Sequence, residues 1–80
     1  MALFMLHHRH ASQECGAAYA SFKGGNSRLR HEAALASCID GGHAMWWTVE
    51  AVDETEALGL LPHFVLERTS VTKVALIDIP

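Results

Sequence analysis

Turn-forming residues recur at intervals that leave only short elements between them, and this spacing limits what a chain of 80 residues can build. Gly24-Gly25 and Asp40-Gly41-Gly42 each close a segment, because backbone at positive φ favours Gly and Asp. Pro62 interrupts another, because proline deletes a backbone donor and clashes with the preceding turn. Between these marks the hydrophobic period switches. Residues 3–10 read as a strand, with Leu3, Met5, His7 and Arg9 on one face and Phe4, Leu6, His8 and His10 on the other. Both faces are apolar in the first half, so neither is marked as the wet one. Ser12 offers an N-cap and Glu14 an anion for the first turn of a helix. Cys15, Ala18, Tyr19 and Phe22 follow at helical spacing as far as Gly24-Gly25, roughly three turns.

The second half repeats the pattern loosely. Ala33 to Ile39 reads as a second strand, Asp40-Gly41-Gly42 as a hairpin turn, and His43 to Val52 as a third strand centred on Trp46-Trp47-Thr48-Val49. Asp53-Glu54-Thr55-Glu56 has the acid-x-x-Glu spacing of a capping-box variant. Ala57, Leu60, Leu61, Phe64 and Val65 form the apolar face of a second helix, kinked or broken at Pro62. His7 is expected to pack beneath the helices. Val71 to Ile79 closes the chain as a strand. The order is β-α-β-β-α-β over one domain, residues 1–80, the split pattern of a ferredoxin-like α+β sheet.

Right-handed crossovers predict the spatial strand order 4-1-3-2, an antiparallel four-stranded sheet with two helices on one face. Four strands at ~4.8 Å spacing and about six residues at ~3.3 Å give a sheet face of roughly 400 Å². Covering an apolar face of that size is worth on the order of 10 kcal/mol before association costs. A second copy packed sheet to sheet supplies the cover, so a homodimer is the expected partner state.

Composition excludes several classes. Half the residues are apolar, too many for a disordered segment. A net charge of −3 with neutral histidines argues against phosphate-backbone binding, so no nucleic-acid partner is expected. Lys23, Arg28, Arg30 and His31 surround a Gly-Gly turn and read as a solvated loop. Cys15 and Cys38 lack C-x-x-C spacing; they leave room for a single disulfide but do not read as a disulfide-stapled secreted scaffold. Met1 to Leu6 is too short for a signal-peptide core or a membrane span, so a cytoplasmic protein with no membrane partner is expected.

Chemistry concentrates at one end of the sheet. Three of the six histidines lie in His7-His8-Arg9-His10, where imidazole can bind a transition metal, move a proton or hydrogen-bond inside a core. Antiparallel pairing of the first and third strands brings His8 and His10 near His43. The second strand, parallel to the first, ends Cys38 and Asp40 at the same edge, where the first helix starts with Glu14 and Cys15. His8 and His10 share a face with Cα atoms about 6.6 Å apart and can converge on one ion. Nitrogen ligands suit zinc, nickel or copper, which makes His8, His10 and His43 the candidate metal ligands. The same residues also suit a hydrogen-bonded strand end or an acid–base pair in a ligand pocket. Trp46 and Trp47 point to opposite faces, one toward the helix-side core and one into the sheet–sheet space. With Glu50 on the Trp46 face, these three are the candidate ligand-binding residues; plain core packing is the competing reading of each tryptophan.

The element order and the stretch Trp47-Thr48-Val49-Glu50-Ala51-Val52-Asp53 leading to Glu56-Ala57-Leu58 resemble the dimeric α+β-barrel superfamily. Leu3-Phe4-Met5 is similar to the opening of one uncharacterised family within it. The resemblance implies a homodimeric α+β barrel and includes antibiotic-biosynthesis monooxygenases and muconolactone isomerase-like proteins. No catalytic signature of those groups is matched residue by residue. The expected function is binding of a small ligand or transition metal through the histidine group at one end of the barrel. The alternative is a cofactor-independent monooxygenase or isomerase acting on an aromatic or polyketide-like compound, with His8, His10 or His43 as base. A plain interaction module without a pocket is the third class.

Overall fold

β1 (Ala2–Arg9) is a central strand, antiparallel to β3 (Ala44–Ala51) on one side and to β4 (Thr69–Val74) on the other. A two-residue β2 (Leu35–Ala36) adds to the outer edge of β3, so the computed structural model, which describes all 80 residues, has the sheet order β2-β3-β1-β4. The register sets Leu6 opposite Trp47 and Val71, and Phe4 opposite Val49 and Lys73. The result is a small α+β domain built on a four-stranded antiparallel sheet.

Three short helices cover one face, because the second expected helix is broken at Pro62 into two. α1 (Cys15–Ala20) follows a one-turn 3-10 helix over Ser12–Glu14; α2 (Glu54–Leu58) and α3 (His63–Leu66) flank Pro62. Ala18, Ala57, Leu61 and Val65 from this layer bury Phe4, Leu6, Trp47 and Val49 of the sheet in one core cluster. Apolar burial of this kind dominates the stability of so small a fold.

Local chemistry explains where the elements stop. Asp53 caps α2 by accepting from the Glu56 amide at 2.8 Å, while Glu56 reaches back to the Val52 amide. Pro62 sits at the N-cap of α3, where its missing N–H costs nothing. Ser12 caps neither element: Ala11 is the N-cap of the 3-10 turn and Glu14 that of α1, and the Glu14 carboxylate receives the Ala11 amide at 2.9 Å. The second strand contracts from seven expected residues (33–39) to two because Ser37 takes over the hydrogen bonding beyond it. Its amide donates to Ala44, its carbonyl accepts from Gly42, and its hydroxyl accepts from the Ala44 amide at 3.1 Å. β4 stops at Val74, opposite Leu3, and Leu76, Ile77 and Ile79 beyond it are exposed.

The expectation that His7 packs beneath the helices is corrected. Phe4, Leu6 and His8 form the helix-side face, and His7 lies on the open face stacked on Trp46, with ring centroids 5.2 Å apart and planes within 4°. With both faces of the strand apolar, the helices decide the matter, and they cover the even positions. The open face is mixed: Leu3, Met5, His7 and Trp46 interleave with Thr48, Glu50, Ser70 and Thr72.

Candidate metal centre

Four segments meet at the end of β1. His10 lies one residue beyond that strand, and its amide donates to the His43 carbonyl at 3.1 Å, extending the β1–β3 pairing past the last strand residues. This bond sets the two imidazoles side by side, centroids 5.6 Å apart. His43 itself stands in left-handed backbone at φ 51°, two residues after Gly41 at φ 85°. That conformation is uncommon for a side-chain-bearing residue, and the tight turn before it demands glycine. A Cβ at Gly42 would collide with the Ser37 hydroxyl, so this glycine is required for space as well. The turn also carries Cys38, in a one-turn 3-10 helix over Cys38–Asp40, back toward the start of α1, where Cys15 sits.

One ligand atom from each of His10, Cys15, Cys38 and His43 lies within 4.8 Å of all the others. Ligand atoms of a tetrahedral site with ~2.0–2.3 Å bonds stand about 3.3–3.8 Å apart. Side-chain rotations closing the gaps by roughly 1 Å would bring the four atoms to such spacings, so the group could hold a metal ion. Both cysteines are free thiols and partly exposed. His43 Nδ1 is the one buried side-chain polar atom that has no hydrogen-bond partner. Leaving a buried ring nitrogen unpaired is costly, and such an atom calls for a specific explanation.

His8 stands behind this group. It is fully buried, with Nδ1 3.2 Å from the Val65 carbonyl and Nε2 2.9 Å from His10 Nδ1. A carbonyl only accepts, so His8 Nδ1 carries the proton and Nε2 presents its lone pair. His10 Nδ1 must then donate, which leaves the His10 Nε2 lone pair directed at Cys38 Sγ, 3.5 Å away. The Val65 carbonyl thus fixes two tautomers in series. This is the outer-shell arrangement that orients metal-bound imidazoles.

The electrostatics favour neutral rings. Burial lowers the pKa of His8, and neighbouring His10 lowers it further; burial and His43 act likewise on His10, against a raising influence from Glu14. Burial, then the neighbouring Cys38 thiol, raises the Cys15 pKa. Tyr19, whose phenol faces Cys38, is pushed up to about 12, first by that thiol and then by burial. Glu14 is engaged elsewhere: the Ala11 amide, and then Arg68 at 3.0 Å, hold its carboxyl below the usual range.

Of the three histidines nominated from the sequence, His10 and His43 join the four-atom group and His8 supports it from behind. The two cysteines complete the group. Asp40 is exposed and stands outside it. The nominated ligand-binding residues do not converge. Trp46 lies on the open face against His7, and Glu50 is exposed on that same face. Trp47 is buried on the helix side, 6.1 Å from Phe22, and lines a cavity of about 390 Å³ with Tyr19, Phe22, Met45, Lys23 and Arg30. His31 also lines that cavity, and His63 is exposed on α3 beside Glu67. No helix is long and apolar enough to cross a membrane. Comparison with known proteins found no matching family model, no similar curated protein and no similar solved structure.

Proposed function

We propose that the protein binds a transition metal, zinc above all, through His10, Cys15, Cys38 and His43. The observation that carries this reading is the mutual approach of four ligand atoms from four separate segments, one of whose residues keeps a buried nitrogen without a partner. Two thiolates and two imidazoles are a tetrahedral zinc set, softer than the three-histidine set nominated from the sequence. Four protein ligands leave no open position, so the metal would serve structure or metal handling rather than catalysis. His8 would hold the His10 ring in the ligating tautomer. The test is metal analysis of protein purified without a histidine tag. About one equivalent of zinc is expected, with a rise in melting temperature on adding zinc to stripped protein. Less than ~0.2 equivalents of any transition metal, and no thermal shift with zinc, nickel or copper, would sink the reading.

A homodimeric α+β barrel in the reducing cytoplasm fits the same molecule. Leu3, Met5, the His7–Trp46 stack and Leu35, which is 75% exposed, lie on the face the helices leave open. A second copy would cover them, and sedimentation at micromolar loading distinguishes 17.4 from 8.7 kDa, twice against once the mass of the chain. The ligand-binding alternative is favoured by the cavity beside Trp47, where Phe22 and Tyr19 offer aromatic walls and the cations Lys23 and Arg30 outnumber the one carboxylate, Glu32, which suits an aromatic anion. Saturable quenching of Trp47 fluorescence by benzoate in a Trp46→Phe variant would support it, and the absence of quenching would remove it.

A further inference from the structure

The same end of the sheet supports a second chemistry at sulfur. Cys15 Sγ and Cys38 Sγ lie within 4.8 Å of each other, and neither thiol is sealed in the core. An S–S bond needs a separation of about 2.05 Å, so an approach of under ~3 Å closes it. Cys38 is the sulfur free to make that approach. Its one-turn helix follows a strand of two residues, precedes the left-handed Gly41, and includes Ile39, which is fully exposed.

We propose that Cys15 and Cys38 form a redox-active dithiol, oxidised by a hydroperoxide to an intramolecular disulfide. Its consequence, release of the metal, rests on the zinc reading above. Cys38 is the attacking sulfur, since it sits on this short turn and its thiol is hydrogen-bonded to His10 Nε2 at 3.5 Å, so that it is held at the open edge of the group. The sulfur attacks one oxygen of hydrogen peroxide, the O–O bond breaks, and one water departs, leaving a sulfenic acid on Cys38. Cys15 sulfur then attacks Cys38 sulfur. The S–O bond breaks, the hydroxide leaves as water with the Cys15 proton, and the disulfide forms. Two thiols and one peroxide give one disulfide and two waters, with two electrons passing from sulfur to oxygen. In the zinc-loaded protein the two thiolates supply those electrons, two protons come from solvent, and the metal loses two of its four ligands in one event. Two neutral imidazoles remain, a far weaker zinc set.

The experiment treats the full chain, metal-stripped and zinc-loaded, with one equivalent of hydrogen peroxide. Peptide mapping and thiol counting follow the sulfurs, and a chromophoric chelator follows the zinc. The expected result is a Cys15–Cys38 linked peptide, loss of both thiols together, reversal by dithiothreitol, and at least about a 100-fold loss of zinc affinity in the oxidised form. In Cys15→Ser, Cys38 should stop at a sulfenic acid that dimedone traps; in Cys38→Ser, Cys15 should react more slowly. Intermolecular disulfides or sulfinic acid in place of the internal link would overturn the proposal, as would oxidised protein that binds zinc within about threefold of the reduced form. The two readings fail separately. Stripped protein that forms the link but takes up no zinc when reduced removes the metal reading and supports the dithiol. Protein that binds zinc but never forms the link does the reverse.

Discussion

Replacing His8 by Leu tests the chain of imidazoles behind the metal centre. The side chain is fully buried, and both its ring nitrogens are bonded. Leucine restores apolar volume but accepts nothing, so the two broken bonds have different consequences. The Val65 carbonyl stays satisfied, because the Thr69 hydroxyl donates to it at 2.6 Å and the Arg68 amide at 3.0 Å. His10 Nδ1–H is stranded in a mostly buried position, at a cost of about 1–3 kcal/mol. In metal-stripped protein this should lower the melting temperature by on the order of 10 °C. The His10 ring, no longer held in one tautomer, should also lose metal affinity by roughly 10–100-fold, or about 1.4–2.8 kcal/mol. Thermal unfolding and zinc competition against a chromophoric chelator give the two numbers separately. His8→Gln is the control, since its amide oxygen can stand where Nε2 stood and accept from His10 Nδ1. It should recover most of the zinc affinity. Folded His8→Leu protein that binds zinc like the parent, or a Gln variant no better than Leu, would refute the reasoning.

Two other predictions follow from the same structure. His8 and His10 have folded-state pKa values held below the unfolded value near 6.5, by burial first, so the unfolded chain binds more protons once the pH drops toward that value. Metal-stripped protein should therefore hold a constant melting temperature above about pH 7 and lose stability as the pH falls below ~6.5; a flat profile from pH 8 to 5 would contradict it. Asp53→Ala removes the acceptor of the Glu56 amide and should cost about 1 kcal/mol, a drop of ~4–8 °C in melting temperature without change in zinc affinity.

What the sequence disclosed about this site came through topology. Once Asp40-Gly41-Gly42 is read as a turn and residues 3–10 and 43–52 as antiparallel neighbours, His10 must fall beside His43, as the register and the His10–His43 backbone bond show. Cys15 and Cys38 arrive at that edge by the same argument. The pattern did not disclose which face of β1 the helices would cover. Leu3 and Met5 are as apolar as Phe4 and Leu6, and a period of two cannot choose between equals. His7 and His8 consequently exchanged roles. The function of His8 depends on the Val65 carbonyl, 57 residues away, and nothing local to either position signals that contact. The short β2 was hidden for a related reason: Ser37 competes for the hydrogen bonds a longer strand would use, and side-chain to backbone bonds of this kind leave little trace in hydrophobic pattern.

The placement of the four candidate ligands suggests what a metal would do for the molecule. Only 13 of the 80 residues are buried, and small domains with so modest a core commonly rely on a covalent or metal staple. None of the four lies inside a strand. His10 follows β1, Cys15 begins α1, Cys38 occupies a single 3-10 turn, and His43 precedes β3. The segment from Ser37 to Ala44 is held mainly by its own bonds, Ser37 to Ala44 and Gly42 to Ser37. It should open locally at far less than the global unfolding free energy. Zinc would join this segment to β1 and α1, so any opening that breaks the centre must also release the ion. At a free zinc concentration 100 times Kd the added protection is about 2.7 kcal/mol, a ~100-fold slowing of exchange. Hydrogen exchange with and without zinc should show that slowing at the amides of Gly41, Gly42 and Ala44, with little change at Phe4 or Val49 in the middle of the sheet. Zinc protection spread evenly over the chain, or missing from residues 37–44, would mean that the ion binds somewhere other than the place where these four segments meet.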